Sequence, residues 1–423
     1  MKTIIRSAKI ISKQSPFNGK VKSLLIENGV IKKIADDIPS SKGDKIIEEK
    51  DLCVSDGWFD MKANFREPGL EYKEDLMSGC KAAIAGGFTG VQLMPSTTPP
   101  VQSKSDIEFI TAKTKDQLVD VHVAAALSNN LEGKDLTEMY DMHLAGASAY
   151  TDDKHAVNDA GLMMRALLYS KNFGGLIISF PEDKNIAGKG QVNESAATTK
   201  LGLKGIPSIA EELMIARDLK LAEYCDARIH FSSISTAESV QLIREAKKKG
   251  LKVTAEVFAH NLLLDDSMLE GFDSNLKVKP PLRTPKDMDA LIKGVGDGTI
   301  DVISSDHSPE DVEAKHREFD YAAFGIIGLE TCFAAANTAL NKKVPLEKII
   351  ACFVDAPRTV LNLALPEIKE GAAANLTVFN PQTEWTFTAD HIKSKSRNTP
   401  FIGAKFKGKA IAVINKDKIA DCE

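Results

Sequence analysis

Apolar positions along the chain follow two rhythms. Near the N-terminus they come in short strand-like runs: Ile4-Ile5, Ile10-Ile11 and Val21-Lys22-Ser23-Leu24-Leu25-Ile26. Asn28-Gly29 separates the last run from Val30-Ile31, and that dipeptide accepts the positive φ of a tight hairpin. Near the C-terminus, Asn375-Leu376-Thr377-Val378-Phe379 and Lys407-Gly408-Lys409-Ala410-Ile411-Ala412-Val413-Ile414 are β-rich again. The two ends are predicted to pair as one small β-domain, built from residues 1–54 and 366–423, beside a central domain of residues 55–365.

In that centre short apolar strands alternate with helical stretches. Strands are predicted at 52–59, 91–94, 121–127, 147–150, 176–179, 229–232, 253–257 and 302–304. One helix is expected after Pro207-Ser208, with Ser208 as N-cap, Glu211 completing a capping box, and Ile209, Leu213, Ala216 and Leu219 lining one apolar face. Eight βα repeats point to an α/β fold, a (β/α)8 TIM barrel. A doubly wound sheet is the other arrangement of such repeats, but no glycine-rich nucleotide turn follows the first strand. A barrel does not name a function. It places reactive residues at the C-terminal ends of its strands and in the loops that follow.

Composition narrows the classes. Apolar residues make up 43% and charged residues 27%, with a net charge of −5, which is no footprint for nucleic acid or an anionic membrane. The basic run Lys247-Lys248-Lys249 before Gly250 reads as a solvated helix end. Cys53, Cys80, Cys225, Cys332, Cys352 and Cys422 are scattered without a CxxC pair, so reduced, packed thiols are expected and not a disulfide framework or thiolate zinc site. The start Met1-Lys2-Thr3-Ile4 leads into a strand pattern and not a signal-peptide core, and no stretch reaches membrane-span length, so a cytoplasmic protein is expected.

Motifs then appear in order. Asp60-Met61-Lys62-Ala63-Asn64-Phe65-Arg66-Glu67-Pro68-Gly69 resembles the dihydroorotase signature Asp-x-His-x-His-x-Arg-Glu-Pro-Gly. Met94-Pro95-Ser96-Thr97-Thr98-Pro99 is similar to that family's Met-Pro-Asn-Thr-x-Pro, and Thr151-Asp152-Asp153 to its Ser-Asp-Asp-Gly. Leu201 to Pro207, Lys277 to Arg283, Asp306-His307-Ser308-Pro309, Phe324 to Thr331 and Ser394 to Phe401 continue the match. The chain therefore resembles the dihydroorotase branch of the cyclic amidohydrolases over nearly its whole length. The resemblance implies a barrel in which zinc-bound hydroxide attacks a ring carbonyl while a strand-eight carboxylate carries the proton.

Against that pattern the zinc ligands are missing. The two strand-one histidines of the family fall on Lys62 and Asn64, the strand-five histidine on Phe180 and the strand-six histidine on Ser233. An ammonium, an amide, a phenyl ring and a hydroxyl do not replace four imidazoles around a divalent ion. The family's carboxylate positions survive as Asp152 (or its neighbour Asp153) and as Asp306, the proton shuttle, here expected to be idle. At the substrate positions Arg66 is kept, while Ser96 and Lys279 replace asparagines and Glu310 replaces a histidine, a carboxylate that would repel an anionic substrate. A carboxylated Lys62 bridging two metals is a rescue that still lacks imidazole partners.

Of the eight histidines, His260 and His307 fall in family motifs and should lie near the old active-site face; His230 should share a side with Ser232 and reads as a packed core histidine. His122, His143, His155, His316 and His391 show no close ligand spacing. With no metal, Asp152 and Asp306 would repel each other, so Lys62 is expected to form a salt bridge to one of these two aspartates. The resemblance thus implies a dihydroorotase-like protein of pyrimidine biosynthesis, without zinc or another cofactor. Its expected role is a non-catalytic structural or regulatory partner of aspartate transcarbamoylase, and a homo-oligomer is expected. Two alternatives stay open. One is an active cyclic amidohydrolase with an atypical site. The other is a small-anion binder using Arg66, Lys62 and Lys279.

Overall fold

The computed structural model describes residues 2–423; Met1, with which the N-terminal segment 1–54 begins, lies outside the described residues. Eight parallel strands form the central sheet: β1 (Trp58–Ala63), β2 (Phe88–Leu93), β3 (Asp120–Ala125), β4 (Ala147–Tyr150), β5 (Ile177–Ser179), β6 (Ile229–Phe231), β7 (Val253–Phe258) and β8 (Val302–Ser304). Sheet order follows chain order, as βαβ crossovers demand. A parallel bridge between Ala63 and His307 draws the end of β8 to the end of β1 and nearly closes the barrel. The expected TIM-barrel architecture is thus present.

The chain ends build a second, mixed sheet. Its strands run in the order Lys418–Asp421, Lys405–Asn415, Asn375–Thr386, Cys53–Asp56, Lys2–Ile11, Val21–Glu27, Val30–Ala35, with Lys45–Ile47 pairing Lys2–Ile11. Asn28 and Gly29 take φ of 51° and 71° at the expected hairpin. The run at 52–59, expected as one strand, is two. Cys53–Asp56 pairs with Asn375–Thr386 in the end sheet, and β1 starts at Trp58. Gly57 is the joint: a Cβ there would lie 1.9 Å from Asn375 Oδ1, so only glycine lets the chain pass. As a result Lys62 lies within β1 and not in a loop after it.

Trp58 ties the two sheets together. It is fully buried, with ring centroids 4.4 Å from Phe333, 5.1 Å from Phe379 and 5.8 Å from Phe353, and its indole N–H donates to Ser55 Oγ at 3.0 Å. All six cysteines are buried and free. Among the described residues no helix is long and apolar enough to cross a membrane.

The helix after Pro207 runs Ile209–Cys225 but is turned relative to the expectation. Ser208 is already helical and its hydroxyl caps nothing. Ile209 and Leu213 are each 49% exposed, and the inner face carries Ala210, Met214, Ile215, Leu219 and Ala222 together with Glu211 and Asp218. Glu211 accepts from the backbone N–H groups of Ser235 (2.7 Å) and Thr236 (3.2 Å) and from Ser239 Oγ (2.7 Å), so it serves the start of the next helix, Ala237–Lys248. Hydrogen-bonded carboxylates hold the inner face, which a count of apolar positions does not register.

Candidate active site at the barrel mouth

The residues singled out from the sequence converge at the C-terminal ends of the strands. In β1 the register slips between Asp60 and Ala63. Lys62 there is buried, and its Nζ lies 2.6 Å from Asp153 Oδ1, so a salt bridge forms, but to the neighbour of Asp152 and not to Asp152 or Asp306. Ser96 Oγ donates to the other oxygen of Asp153 at 2.7 Å. Asp152 is occupied elsewhere: its carboxylate accepts from the backbone N–H groups of Leu127 (3.0 Å) and Ser128 (2.8 Å) and pins the loop after β3. The carboxylate facing the site is therefore Asp153 and not Asp152.

A second lysine completes the arrangement. Lys154 Nζ sits 2.7 Å from Asp306 Oδ2 and 3.3 Å from Ser308 Oγ. Sequence reasoning missed it, although one signal was available: Lys154 stands where the Ser-Asp-Asp-Gly pattern has glycine. The mouth thus holds two lysine–aspartate pairs, Lys62–Asp153 buried on both sides and Lys154–Asp306 with a partly exposed lysine. Burial disfavours both charges of each pair, but the outcome differs by partner. Burial alone would lower the Lys62 ammonium, yet Asp153, Glu256 and Asp306 outweigh it and hold its pKa above the ordinary value. Burial pushes Asp153 up, and Lys62 and Lys154 together bring it well below the usual carboxylate range. For Asp306 burial wins over Lys154 and Lys62, and its pKa is pushed up to about 6. Its Oδ1 has no hydrogen-bond partner.

The other former ligand positions are filled by packing and hydroxyls. Phe180 is buried with Ala156 and Met214. Ser233 Oγ lies 2.8 Å from Ser232 Oγ, which donates to Glu256 Oε1 at 2.6 Å. Asn64 is buried with its Oδ1 unpartnered, while its N–H donates to His307 O at 2.8 Å. His230, fully buried, meets Thr254 Oγ1 at 2.9 Å and points Nε2 towards Glu256 at 3.9 Å, on the side Ser232 shares. His307 Nε2 lies 3.4 Å from Glu74, and its Nδ1 accepts from Gly328 N–H at 3.2 Å. Burial and the Lys154 charge push the His260 pKa down to about 3, so it is a neutral ring at the mouth.

The substrate positions are paired internally. Arg66 Nη2 reaches Glu310 Oε1 at 2.8 Å, Lys73 Nζ reaches Glu310 Oε2 at 2.6 Å, and Lys279 Nζ reaches Glu182 Oε1 at 2.7 Å. Glu310 does not stand as a free repulsive charge, and the three cations of the small-anion reading, Arg66, Lys62 and Lys279, each already have a carboxylate. That alternative loses its free cations.

Backbone geometry at these positions is unusual. Arg66, Asp153, Ser233 and Asp306 all have positive φ, at 62°, 52°, 66° and 51°. Side-chain-bearing residues rarely adopt this region, and strain of this kind clusters where a scaffold aims reactive groups. The backbone of a reactive site is present. Its metal donors are not: two ammonium groups hold the aspartates, and the amide of Asn64, the ring of Phe180 and the hydroxyl of Ser233 occupy the three remaining positions. Among the described residues, no three His, Cys, Asp or Glu side chains are arranged to hold a metal ion. The residues present do not fit zinc.

Residues 52–239 match the family model described as "Dihydro-orotase-like". The chain is 39% identical over 422 residues to the dihydroorotase of Syntrophus aciditrophicus, with 99% of each chain covered. It is 40% identical over 408 residues to the dihydroorotase of Carboxydothermus hydrogenoformans, with 95% of each covered. Among solved structures it is similar in fold to the L-hydantoinase of Arthrobacter aurescens (TM-score 0.82, 20% identity, 99% of this chain and 96% of that one). The D-hydantoinase of a Thermus species is similar too (TM-score 0.82, 19% identity, 100% and 96%).

Proposed function

The chain belongs to the dihydroorotase family, and from that premise we propose that it serves pyrimidine biosynthesis as a non-catalytic member, a structural or regulatory partner of aspartate transcarbamoylase in the cytoplasm. One observation carries the non-catalytic reading. The aspartates that would face a metal are bound by the ammonium groups of Lys62 and Lys154 at 2.6 and 2.7 Å. A divalent ion there would meet two fixed positive charges, with no imidazole at any of the four positions where the family has its ligand histidines. The closed Arg66–Glu310 pair adds to this, since the arginine expected to receive a substrate carboxylate already holds one. Such a chain keeps a folded barrel without its chemistry, which suits a role in assembly. The partner is assigned by family resemblance, and co-purification tests it. At micromolar concentration the two proteins should migrate together through size-exclusion chromatography; independent migration refutes the assignment.

A second reading, an active cyclic amidohydrolase with an atypical site, draws on Asp306. This buried carboxylate has a pKa near 6 and one free oxygen, the properties of a proton carrier. Hydrolysis assays with dihydroorotate, hydantoin and allantoin, with and without zinc, separate the two readings. Turnover that disappears in Asp306→Ala would establish the second. No turnover, together with no stoichiometric zinc by elemental analysis, supports the first.

A further inference from the structure

Lys62, Arg66, Lys73, Lys154 and Lys279 each meet a carboxylate of the chain. Lys315 does not. It ends the short helix Val312–Lys315 in the loop after β8 and is 5% exposed. Its Nζ donates to two backbone oxygens, Ala323 O and Gly325 O, each at 3.0 Å. An ammonium has three protons, so one is left over. The other buried lysine of this region places all three: Lys277 Nζ donates to Gln191 Oε1, Phe319 O and Asp320 O at 2.7, 2.8 and 3.1 Å. Burial pushes the Lys315 pKa down to about 8, with Glu310 and Asp273 offsetting part of the fall, so the group stays charged at pH 7. A buried charge without a counter-ion is costly.

Lys315 lines an open cleft of about 370 Å³ between the loop after β7, the loop after β8 and the C-terminal segment. Clefts of roughly 300–1,000 Å³ take small molecules. The walls are tied together. Ser274 Oγ donates to Lys315 O at 2.7 Å, and Asn398 joins the C-terminal segment to the loop after β8 through Glu310 N–H and Ser308 O, both at 3.0 Å. Arg397 supplies a second cation to the lining. It is exposed, and its Nη1 donates to Ala389 O at 2.8 Å. Among the described residues neither Arg397 nor Lys315 forms a salt bridge. His316 and Asn275 add an imidazole and an amide. The two carboxylates of the lining are already engaged. Glu310 is held by Arg66 and Lys73, and Asp311 caps Ala314 N–H at 2.9 Å with its other oxygen 3.9 Å from Lys73 Nζ. The cleft thus carries two cations in excess, and its donors come from three segments. A carboxylate presents two oxygens in one plane, whereas a phosphate presents three strong acceptor oxygens in a tetrahedral spread.

We propose that this cleft binds a small phosphate, free or as a monoester, with Lys315 and Arg397 as its counter-charges. The site uses none of Lys62, Arg66 and Lys279 and needs no chemistry at the former metal positions, so it stands whether or not the chain hydrolyses cyclic amides.

The test is isothermal titration of inorganic phosphate and of glycerol phosphate, at constant ionic strength, into wild type, Arg397→Gln and Lys315→Met, with acetate as the carboxylate control. Wild type should show one saturable phosphate site and no acetate binding of comparable strength. Arg397→Gln changes an exposed side chain, so it should melt as wild type does and bind phosphate about 10-fold more weakly, the loss of one charge-assisted bond. Lys315→Met should bind at least as weakly. Tighter binding of glycerol phosphate than of inorganic phosphate supports an ester as the occupant; equal or weaker binding supports the free ion. The proposal is overturned if wild type shows no saturable binding, if acetate binds as tightly as phosphate, or if Arg397→Gln binds as wild type does. Should Lys315→Met not melt cooperatively, Arg397→Gln alone decides.

Discussion

Replacing Lys62 by methionine tests whether its ammonium offsets a buried negative charge. The stem keeps its length and packing beside Met94, and only the charge is lost. Asp153 then remains about as buried as before, 4% exposed, with Ser96 Oγ and the more distant Lys154 as its only support. Stranding one member of a buried ion pair costs about 3–5 kcal/mol. The entropy of unfolding is roughly 0.9 kcal/mol per kelvin for a chain of 423 residues, so the melting temperature should fall by about 3–6 °C. Lys62→Met/Asp153→Asn, which removes both charges, should recover most of that loss. The pH dependence is fixed by the directions of the two shifts. Asp153 is held below its ordinary range, so its contribution is present above its unfolded pKa and is lost only as pH falls through the lowered value. Lys62 is held above its ordinary value, so its contribution is present below its unfolded pKa and lost only as pH rises through the raised one. Across neutral pH the pair's effect is flat. Differential scanning calorimetry at two pH values between 6 and 8 measures it. A Lys62→Met chain melting within about 1 °C of wild type, or a double variant no more stable than the single one, refutes the reasoning.

Other perturbations have equally definite outcomes. Asp60 is fully buried against Ser305, and burial lifts its pKa to about 7, so ionising it opposes folding progressively as pH rises from its unfolded value towards 7. Asp60→Asn should therefore compare more favourably with wild type at pH 8 than at pH 5, by up to ~1.4 kcal/mol for each unit of that interval, in urea unfolding at the two pH values. Four histidines installed at positions 62, 64, 180 and 233 should take up little zinc while Lys154 still holds Asp306; adding Lys154→Gly should raise the zinc content measured by elemental analysis, and equal loading of both variants would contradict the role given to Lys154. Trp58→Ala should cost ~3–5 kcal/mol, because its ring joins the barrel to the end sheet, and chemical denaturation monitored by circular dichroism reads it.

Much of the fold was legible because its signals are local. Asn28-Gly29 specifies a turn whatever lies around it, and alternating apolar strands and helices specify a parallel barrel. The pairing of Lys62 with an aspartate 91 positions away was legible for another reason: a buried carboxylate demands compensation, and Lys62 stood at the right strand end. What escaped depends on three-dimensional neighbours. Lys154, after two aspartates, has the look of a solvated charge until β4 and β8 bring it to Asp306. Glu310 looks repulsive along the chain because neither Lys73 nor Asn398, whose Oδ1 accepts from Glu310 N–H at 3.0 Å, is near it in sequence. The inner face of the helix Ile209–Cys225 was misplaced because Glu211 and Asp218 are buried through hydrogen bonds, and hydrophobic periodicity treats them as outward. The first barrel strand starts later than its apolar run, because that run serves two sheets with only Gly57 marking the change.

The pairing pattern also constrains how the site came to its present state. An aspartate in a barrel mouth without a cation carries an unscreened charge in a low-dielectric setting, and burying it that way costs several kcal/mol. Losing imidazole ligands alone would leave Asp153 and Asp306 in that condition. Lys62 and Lys154 relieve it one for one, while Arg66 and Lys73 share Glu310 and Lys279 takes Glu182. The mouth is therefore not an eroded metal site with its charges exposed. It is an ion-paired interior in which Lys62, Lys154, Arg66, Lys73 and Lys279 each meet a carboxylate of the same chain, and three of its left-handed residues, Arg66, Asp153 and Asp306, are members of those pairs.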